Sequence, residues 1–532
     1  MSFYDDTYYV SVALRMAHGL RPFVGETSMQ ATGQMLPAAF VWLWDRAIGT
    51  TGLMLAYRIF YILFAAAAAA AVCRVLRGSF PLTAAALAAV VAVISPPFNI
   101  FTASYNTVAL VAMAIAFVSA FAVWRTGGRI AAVASGTAMV LASVSYLPLA
   151  VASATLFVTL AVLVRDRRLL GWVALGGVGA AVPLLGWLVP SVSIDDIRRT
   201  LAYASANVMS FESPLQKLTT SGLLLWKTLV TWTLAPAWVL AVVACVPRMP
   251  RSVRFWSLLL VPLAASASDL AWLAGLRGAP TVGHIAALWL VKFTFIAAVP
   301  AIALALQAKR HDTLRLLAMA GPCSLVGVVI VLYSTNAGIA AATYLVGMVP
   351  FVLVIAAGWA DAVIGLGPVG ARALAWCALL IPAMLLLFVS AFGDARPVGL
   401  SAMVSYGPYA GLRTTETRLG ELRALEVAGR RYVKPADKVT FLGERSAYLV
   451  VGGDSYTSTS WLYPGPSDQA ALDYFARQGG VPDVVFVDNV ALKKLGKPTY
   501  EIAAENDPLV ARLLTDYRLV DTVANFGVFV RQ

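Results

Sequence analysis

Between residues 52 and 392 the chain alternates long apolar runs with short polar loops. Runs at 52–73, 81–98, 106–124, 130–146, 147–164, 169–188, 223–245, 255–275, 285–306, 314–333, 339–360 and 371–392 approach the length that a helix needs to cross hydrocarbon, about 20 residues. They predict twelve transmembrane helices, the fourth and fifth divided near Pro148. The alanine run at 65–71 predicts a small-residue face for close helix packing. From residue 394 the pattern shortens. Helices are expected at 414–431, 467–478 and 508–517, strands at 438–442 and 483–487, and two short strands over 519–530 turning at 525–527. The segment 5–45 mixes charge with the apolar run 35–44 and predicts amphipathic helices at the membrane surface. The fold class is an α-helical polytopic membrane protein with a small C-terminal α/β domain. Its parts are a first loop over 1–51, a helical region over 52–393 and a soluble domain over 394–532.

Composition agrees. Sixty per cent of residues are hydrophobic and 13% are charged, where soluble proteins carry about 25% charged. The net charge of +13 does not indicate a nucleic-acid partner, because of where it lies. Residues 394–532 hold 16 basic and 16 acidic side chains, so the whole excess belongs to the apolar part. There it sits in alternate loops: Arg74 and Arg77, Arg125 and Arg129, Arg165 to Arg168, Arg248 to Arg254, Lys309 and Arg310, and Arg372. These loops are cytoplasmic by the positive-inside rule. That places residues 1–51 and the C-terminal domain outside, for a multi-pass protein of the cell (inner) membrane. A chain starting outside predicts a further helix upstream of this start. The four cysteines are scattered through apolar stretches and read as small buried hydrophobes.

Two groups carry candidate chemistry. Asp5 and Asp6 are adjacent carboxylates, suited to a general base with a metal or hydrogen-bonding partner, or to capping a helix. Arg58, Lys227, Asp269, Arg277, His284 and Lys292 lie in or at the outer ends of apolar runs, where ionisable groups tend to line a cavity. Their mostly basic character suits a phosphate, although snorkelling to headgroups serves the same residues. Three scattered histidines do not make a zinc site. No Walker loop, Rossmann fingerprint or Ser-His-Asp set is visible, so an enzyme here needs an already activated substrate.

The stretch Asp5-Asp6-Thr7-Tyr8-Tyr9 through Ala13-Leu14-Arg15-Met16-Ala17-His18-Gly19 resembles the first extracytoplasmic loop of the glycosyltransferase C superfamily. That superfamily includes the protein O-mannosyltransferases and the lipid A aminoarabinose transferases. Gly33-Gln34-Met35-Leu36-Pro37 before an aromatic helix, and Tyr57-Arg58-Ile59 opening the next, continue the likeness. The resemblance implies a polyprenyl-phosphate-linked sugar as donor and an extracytoplasmic acceptor. It implies Asp5 as the base, Asp6 as the second carboxylate, and donor-phosphate contacts from basic residues such as Arg58, Lys227, Arg277, His284 and Lys292. The one cofactor candidate is a divalent metal.

The chain also departs from the family pattern. Asn106, in Ser104-Tyr105-Asn106-Thr107, stands where a carboxylate is common, so Tyr105 and Asn106 become the second-loop, acceptor-side candidates. Gln34-Met35-Leu36-Pro37 lacks the lysine of the aminoarabinose branch, and Thr343-Tyr344 replaces an Arg-Tyr. A transporter or lipid flippase, and an inactive partner in glycan assembly, are the competing expectations.

Overall fold

The computed structural model describes residues 5–94, 101–208, 214–273, 285–334, 340–389, 399–443, 447–460, 462, 468–494, 499–505 and 507–532. Sixteen helices come first: α1 (Asp5–Ala17), α2 (Met35–Ile48), α3 (Leu53–Leu76), α4 (Leu82–Ile94), α5 (Tyr105–Thr126), α6 (Arg129–Ser145), α7 (Leu149–Leu163), α8 (Arg167–Leu188), α9 (Ile194–Val208), α10 (Pro214–Leu229), α11 (Ala235–Cys245), α12 (Arg251–Leu273), α13 (Ile285–Gln307), α14 (His311–Ser334), α15 (Ala340–Leu366) and α16 (Ala371–Val389). Eleven of the twelve apolar runs each coincide with one of these helices. The run 223–245 is the exception to a simple match. It is broken into α10 and α11, with Pro236 in the first turn of the second, where a missing N–H costs nothing.

Among the described residues six helices are long and apolar enough to cross a membrane, or seven if the bent α10–α11 pair is one span. Four shorter apolar helices accompany them. Burial tells which faces meet protein. In α5, 83% of the apolar window is buried, but in Arg167–Ser191 only 17% is. Apolar helix surface left uncovered on that scale is tolerated in lipid and not in water.

The chain divides into two compact units. The first comprises Tyr61–Leu184 and Glu212–Phe392. It is closed by small residues, since lipid supplies no hydrophobic drive between helices and close backbone approach must do so. A Cβ at Gly136 of α6 would fall 1.8 Å from the Val173 carbonyl oxygen of α8, and one at Gly327 of α14 2.5 Å from the Gly347 oxygen of α15. The alanine run contributes a narrower face than expected: Ala65, Ala68 and Val72 are buried, while their neighbours Ala66, Ala67, Ala70 and Ala71 are exposed.

The second unit gathers Ser2–Phe60, Leu185–Phe211 and Gly393–Gln532. Its C-terminal part holds β1 (Ala402–Met403), β2 (Arg413–Thr414), α17 (Glu416–Tyr432), β3 (Lys438–Leu442), α18 (Ala447–Val450), β4 (Asp454–Ser455), α19 (Asp468–Arg477), β5 (Val484–Asp488), α20 (Asn489–Lys494), α21 (Tyr500–Ala504), α22 (Pro508–Asp516), β6 (Tyr517–Val523) and β7 (Phe526–Arg531). Five strands form one sheet in the order β4-β3-β5-β7-β6, parallel from β4 to β5 and antiparallel beyond. Strands β3 and β5 are apolar on both faces because helices cover both. Val439, Phe441, Val484 and Phe486 meet Leu425 and Ala428 of α17. Leu442, Val485 and Val487 meet Ala471 and Phe475 of α19 and Leu509 and Leu513 of α22. Thr415 and Asp507 start α17 and α22 by accepting from the backbone N–H three residues on.

Helix α1 departs from the amphipathic expectation. From Asp6 to Ala13 every side chain is buried, polar ones included. It packs against α2 and α18 of its own unit, so it is a core helix and not a one-faced surface helix.

Candidate functional site

Asp5 is the first residue of α1, and its side chain lies outside the described residues. Asp6 follows it into the interior, 2% exposed. Arg58, in the second turn of α3 and 5% exposed, donates from both Nε (3.1 Å) and Nη2 (2.5 Å) to one oxygen, Oδ2 of Asp6. Two charges at this depth are tolerated only as a pair. Around it, Tyr57 Oη donates to Gln34 Oε1 at 2.6 Å, and the hydroxyls of Thr7 and Tyr409 are 2.9 Å apart. The first turn of α1 is thereby tied to α3 and to the loop before α17.

A second buried pair went unassigned in the sequence. Arg15 Nη1 donates to Glu26 Oε2 at 2.9 Å and to Ser460 Oγ at 2.7 Å. Its Nη2 donates to the carbonyls of Gly25 and Thr457, each at 2.9 Å. Ser460 in turn donates its N–H to Glu26 Oε2. The available signal was an arginine within the apolar run Val10–Met16 and a glutamate in the loop that follows it.

Among the described basic candidates, Arg58 and Lys292 are each paired with a carboxylate. Arg58 is neutralised by Asp6. Lys292 Nζ lies 2.6 Å from Asp269 Oδ1, both largely buried, in the first unit. Lys227 is exposed on α10. Arg277 and His284 lie outside the described residues, as does the side chain of Tyr344.

Tyr105 and Asn106 open α5. Ser104 and Thr107 form a capping box there, each side chain accepting from the other's backbone N–H. The Tyr105 ring packs on Tyr146, centroids 5.5 Å apart. Asn106 is 1% exposed, and neither its amide nitrogen nor its carbonyl oxygen has a hydrogen-bond partner among the described residues. No group of three or more His, Cys, Asp or Glu side chains placed to hold a metal ion occurs among the described residues.

The apolar helices and the α/β unit together define a multi-pass α-helical membrane protein with a small C-terminal sheet domain. No family model and no curated protein matches the chain. Among solved structures it is similar to ArnT from Cupriavidus metallidurans, crystallised bound to undecaprenyl phosphate, with a TM-score of 0.42 and 14% identity over 99% of this chain and 93% of that one. A likeness of that degree transfers neither a substrate nor a reaction.

Proposed function

We propose that this protein is a membrane glycosyltransferase that moves a sugar from a polyprenyl-phosphate donor to an acceptor outside the cytoplasm. The observation that carries the reading is the buried Asp6–Arg58 pair at the head of α1. It fixes the first turn of the helix, the turn that begins with Asp5. In the proposed step Asp5 takes the proton of the acceptor hydroxyl. The acceptor oxygen attacks the anomeric carbon, and the bond from that carbon to the phosphate oxygen breaks. Polyprenyl phosphate leaves with the electron pair, and the anomeric configuration inverts. No nucleotide is needed, because the donor is activated already. Asp6 and Arg58 act as positioning residues. Basic side chains such as Lys292, Lys227, Arg277 and His284 are the candidates for the donor phosphate, and Tyr105 and Asn106 for the acceptor side.

The test is release of polyprenyl phosphate by purified protein offered a panel of polyprenyl-phosphate sugars. Asp5→Asn is expected to lower turnover by at least about 100-fold, the lower end of what a general base contributes, with folding retained. A wild-type rate in Asp5→Asn would remove Asp5 as base. Silence of the folded wild type across the panel would overturn the transferase reading.

A transport function is the second reading. It is favoured by prolines inside α8 and α12 to α16, at 183, 262, 300, 322, 350 and 382. Interrupted helices are a device of transporters, and substrate counterflow in vesicles distinguishes the two.

A further inference from the structure

Helix α9, in the second unit, is turned the wrong way round for a helix bathed in water. Ser193 caps it: its Oγ accepts from the Asp196 N–H at 3.1 Å, and the Asp196 carboxylate accepts from the Ser193 N–H at 2.8 Å. At about 100° per residue, Ile194, Ile197 and Leu201 share one side, and they are 71%, 43% and 48% exposed. Asp196, Arg199 and Thr200 lie on the other side. There Thr200 is 1% exposed and the Asp196 side chain 13%. The helix packs on the turn Met29–Gln34, and the charges of Asp196 and Arg199 reach Arg477 of α19. So the polar side meets protein and the apolar side does not, the reverse of a helix laid on a domain in water. The same exposure precedes it in the chain. Leu185 in the last turn of α8 and Val189 just beyond it are 50% and 62% exposed. Between them the Trp187 ring lies 4.0 Å from the Arg21 guanidinium, and such aromatic residues at the end of an apolar span mark headgroup level.

We infer that α9 is an interfacial helix, its Ile194–Ile197–Leu201 stripe seated in the lipid surface where α8 leaves the bilayer. Lipid is the occupant that the observations favour. Only the residues 189–193 separate α9 from the end of the apolar helix α8, so the chain cannot carry its first turn far from that level. Three side chains are also far fewer than the about 20–30 residues that each partner brings to a stable protein interface. Charge sets the kind of lipid surface. The four charged residues of α9 are paired, Asp195 with Arg198 at 3.2 Å and Asp196 with Arg199. Many interfacial helices are basic and drawn to anionic lipid; α9 is neutral, so apolar area holds it, and zwitterionic and anionic surfaces serve equally. The inference does not rest on the transferase reading, since no donor or turnover enters it.

The test uses the full chain in nanodiscs of phosphatidylcholine, with and without phosphatidylglycerol. Single cysteines replace Ile194, Ile197, Leu201 or Gln469 in a background without the four native cysteines, and each carries a spin label. Power-saturation EPR reads access to oxygen, which concentrates in lipid, and to a water-soluble nickel chelate. Labels at 194, 197 and 201 are expected to show nickel access several-fold below that at exposed Gln469, with high oxygen access, in both lipid mixtures. Ile197→Ser with Leu201→Ser is expected to release a label at 194 to the nickel reagent. Nickel access at the three positions equal to that at Gln469 would put the stripe in water and overturn the proposal. Protection from both reagents would mean that protein, a second copy included, covers the stripe, and would overturn it equally. Lipid contact that appears only with phosphatidylglycerol would make charge the holding force and refute the neutral surface. A label at 194 that stays in lipid in the double serine variant would show that the stripe is not what seats the helix.

Discussion

Both Nε and Nη2 of Arg58 donate to the same carboxylate oxygen of Asp6, across 52 residues of sequence and with both side chains almost wholly buried. Removing one partner leaves an uncompensated buried charge. Arg58→Gln or Asp6→Asn alone is therefore expected to destabilise by about 3–5 kcal/mol. The double variant should lose less than the sum of the singles, since neither retained group is then charged. Denaturant unfolding in detergent, run as a double-mutant cycle, checks this; strict additivity would mean that the two side chains are not coupled.

Lys292 and Asp269 are paired in the same way inside the first unit. If the pair is structural alone, Lys292→Met with Asp269→Leu restores stability lost by either single change, because apolar replacements of buried pairs are often neutral. If Lys292 serves the donor phosphate, the same double variant stays folded and loses donor affinity. Thermal unfolding together with donor binding separates the two roles.

The crossing of α6 and α8 leaves no room for a methyl group at Gly136, because the nearest atom is a backbone carbonyl. Gly136→Ala is expected to lower stability by about 1–3 kcal/mol, the usual cost of overpacking. Gly171→Ala, on α8 with open space around it, is expected to be neutral or slightly stabilising. A melting curve for each in the same detergent reads the contrast, and equal effects would contradict the close crossing.

The arginine loops predict an orientation with the C-terminal unit outside the cytoplasm. A cysteine at Gln469, exposed on the C-terminal unit, is expected to react with an impermeant thiol reagent in intact cells, in a background where Cys73, Cys245, Cys323 and Cys377 are replaced. Labelling only after lysis would put the C-terminal unit in the cytoplasm and reverse the topology.

Much of the architecture was legible because lipid and a sandwiched sheet both impose simple patterns. Apolar runs of membrane length located α3 to α8 and α12 to α16, and strand β3 lies at residues 438–442 as the β-branched pattern indicated. What escaped was local or distant. The break between α10 and α11 sits in an apolar stretch whose only mark is Pro236. The two-residue strand β4 is too short to show a period. Arg15 finds Ser460 across 445 positions, a separation that no periodicity records. Asn106 stood out as a departure from a family pattern, but its want of hydrogen-bond partners is a property of its surroundings, not of its neighbours in sequence.

The Arg15–Glu26–Ser460 cluster also bears on how the protein is made. Glu26 accepts from the backbone of Ser460, 434 residues later. At about 5–20 residues per second, roughly 20–90 s of synthesis separate the two. Throughout that interval α1, destined for full enclosure, lacks the C-terminal half of its surroundings. A helix carrying Asp6, Arg15 and so much apolar surface in that condition is an obvious client for a chaperone or the insertion machinery. Truncation before residue 460 would then expose this early segment to quality control, rather than merely deleting a late domain.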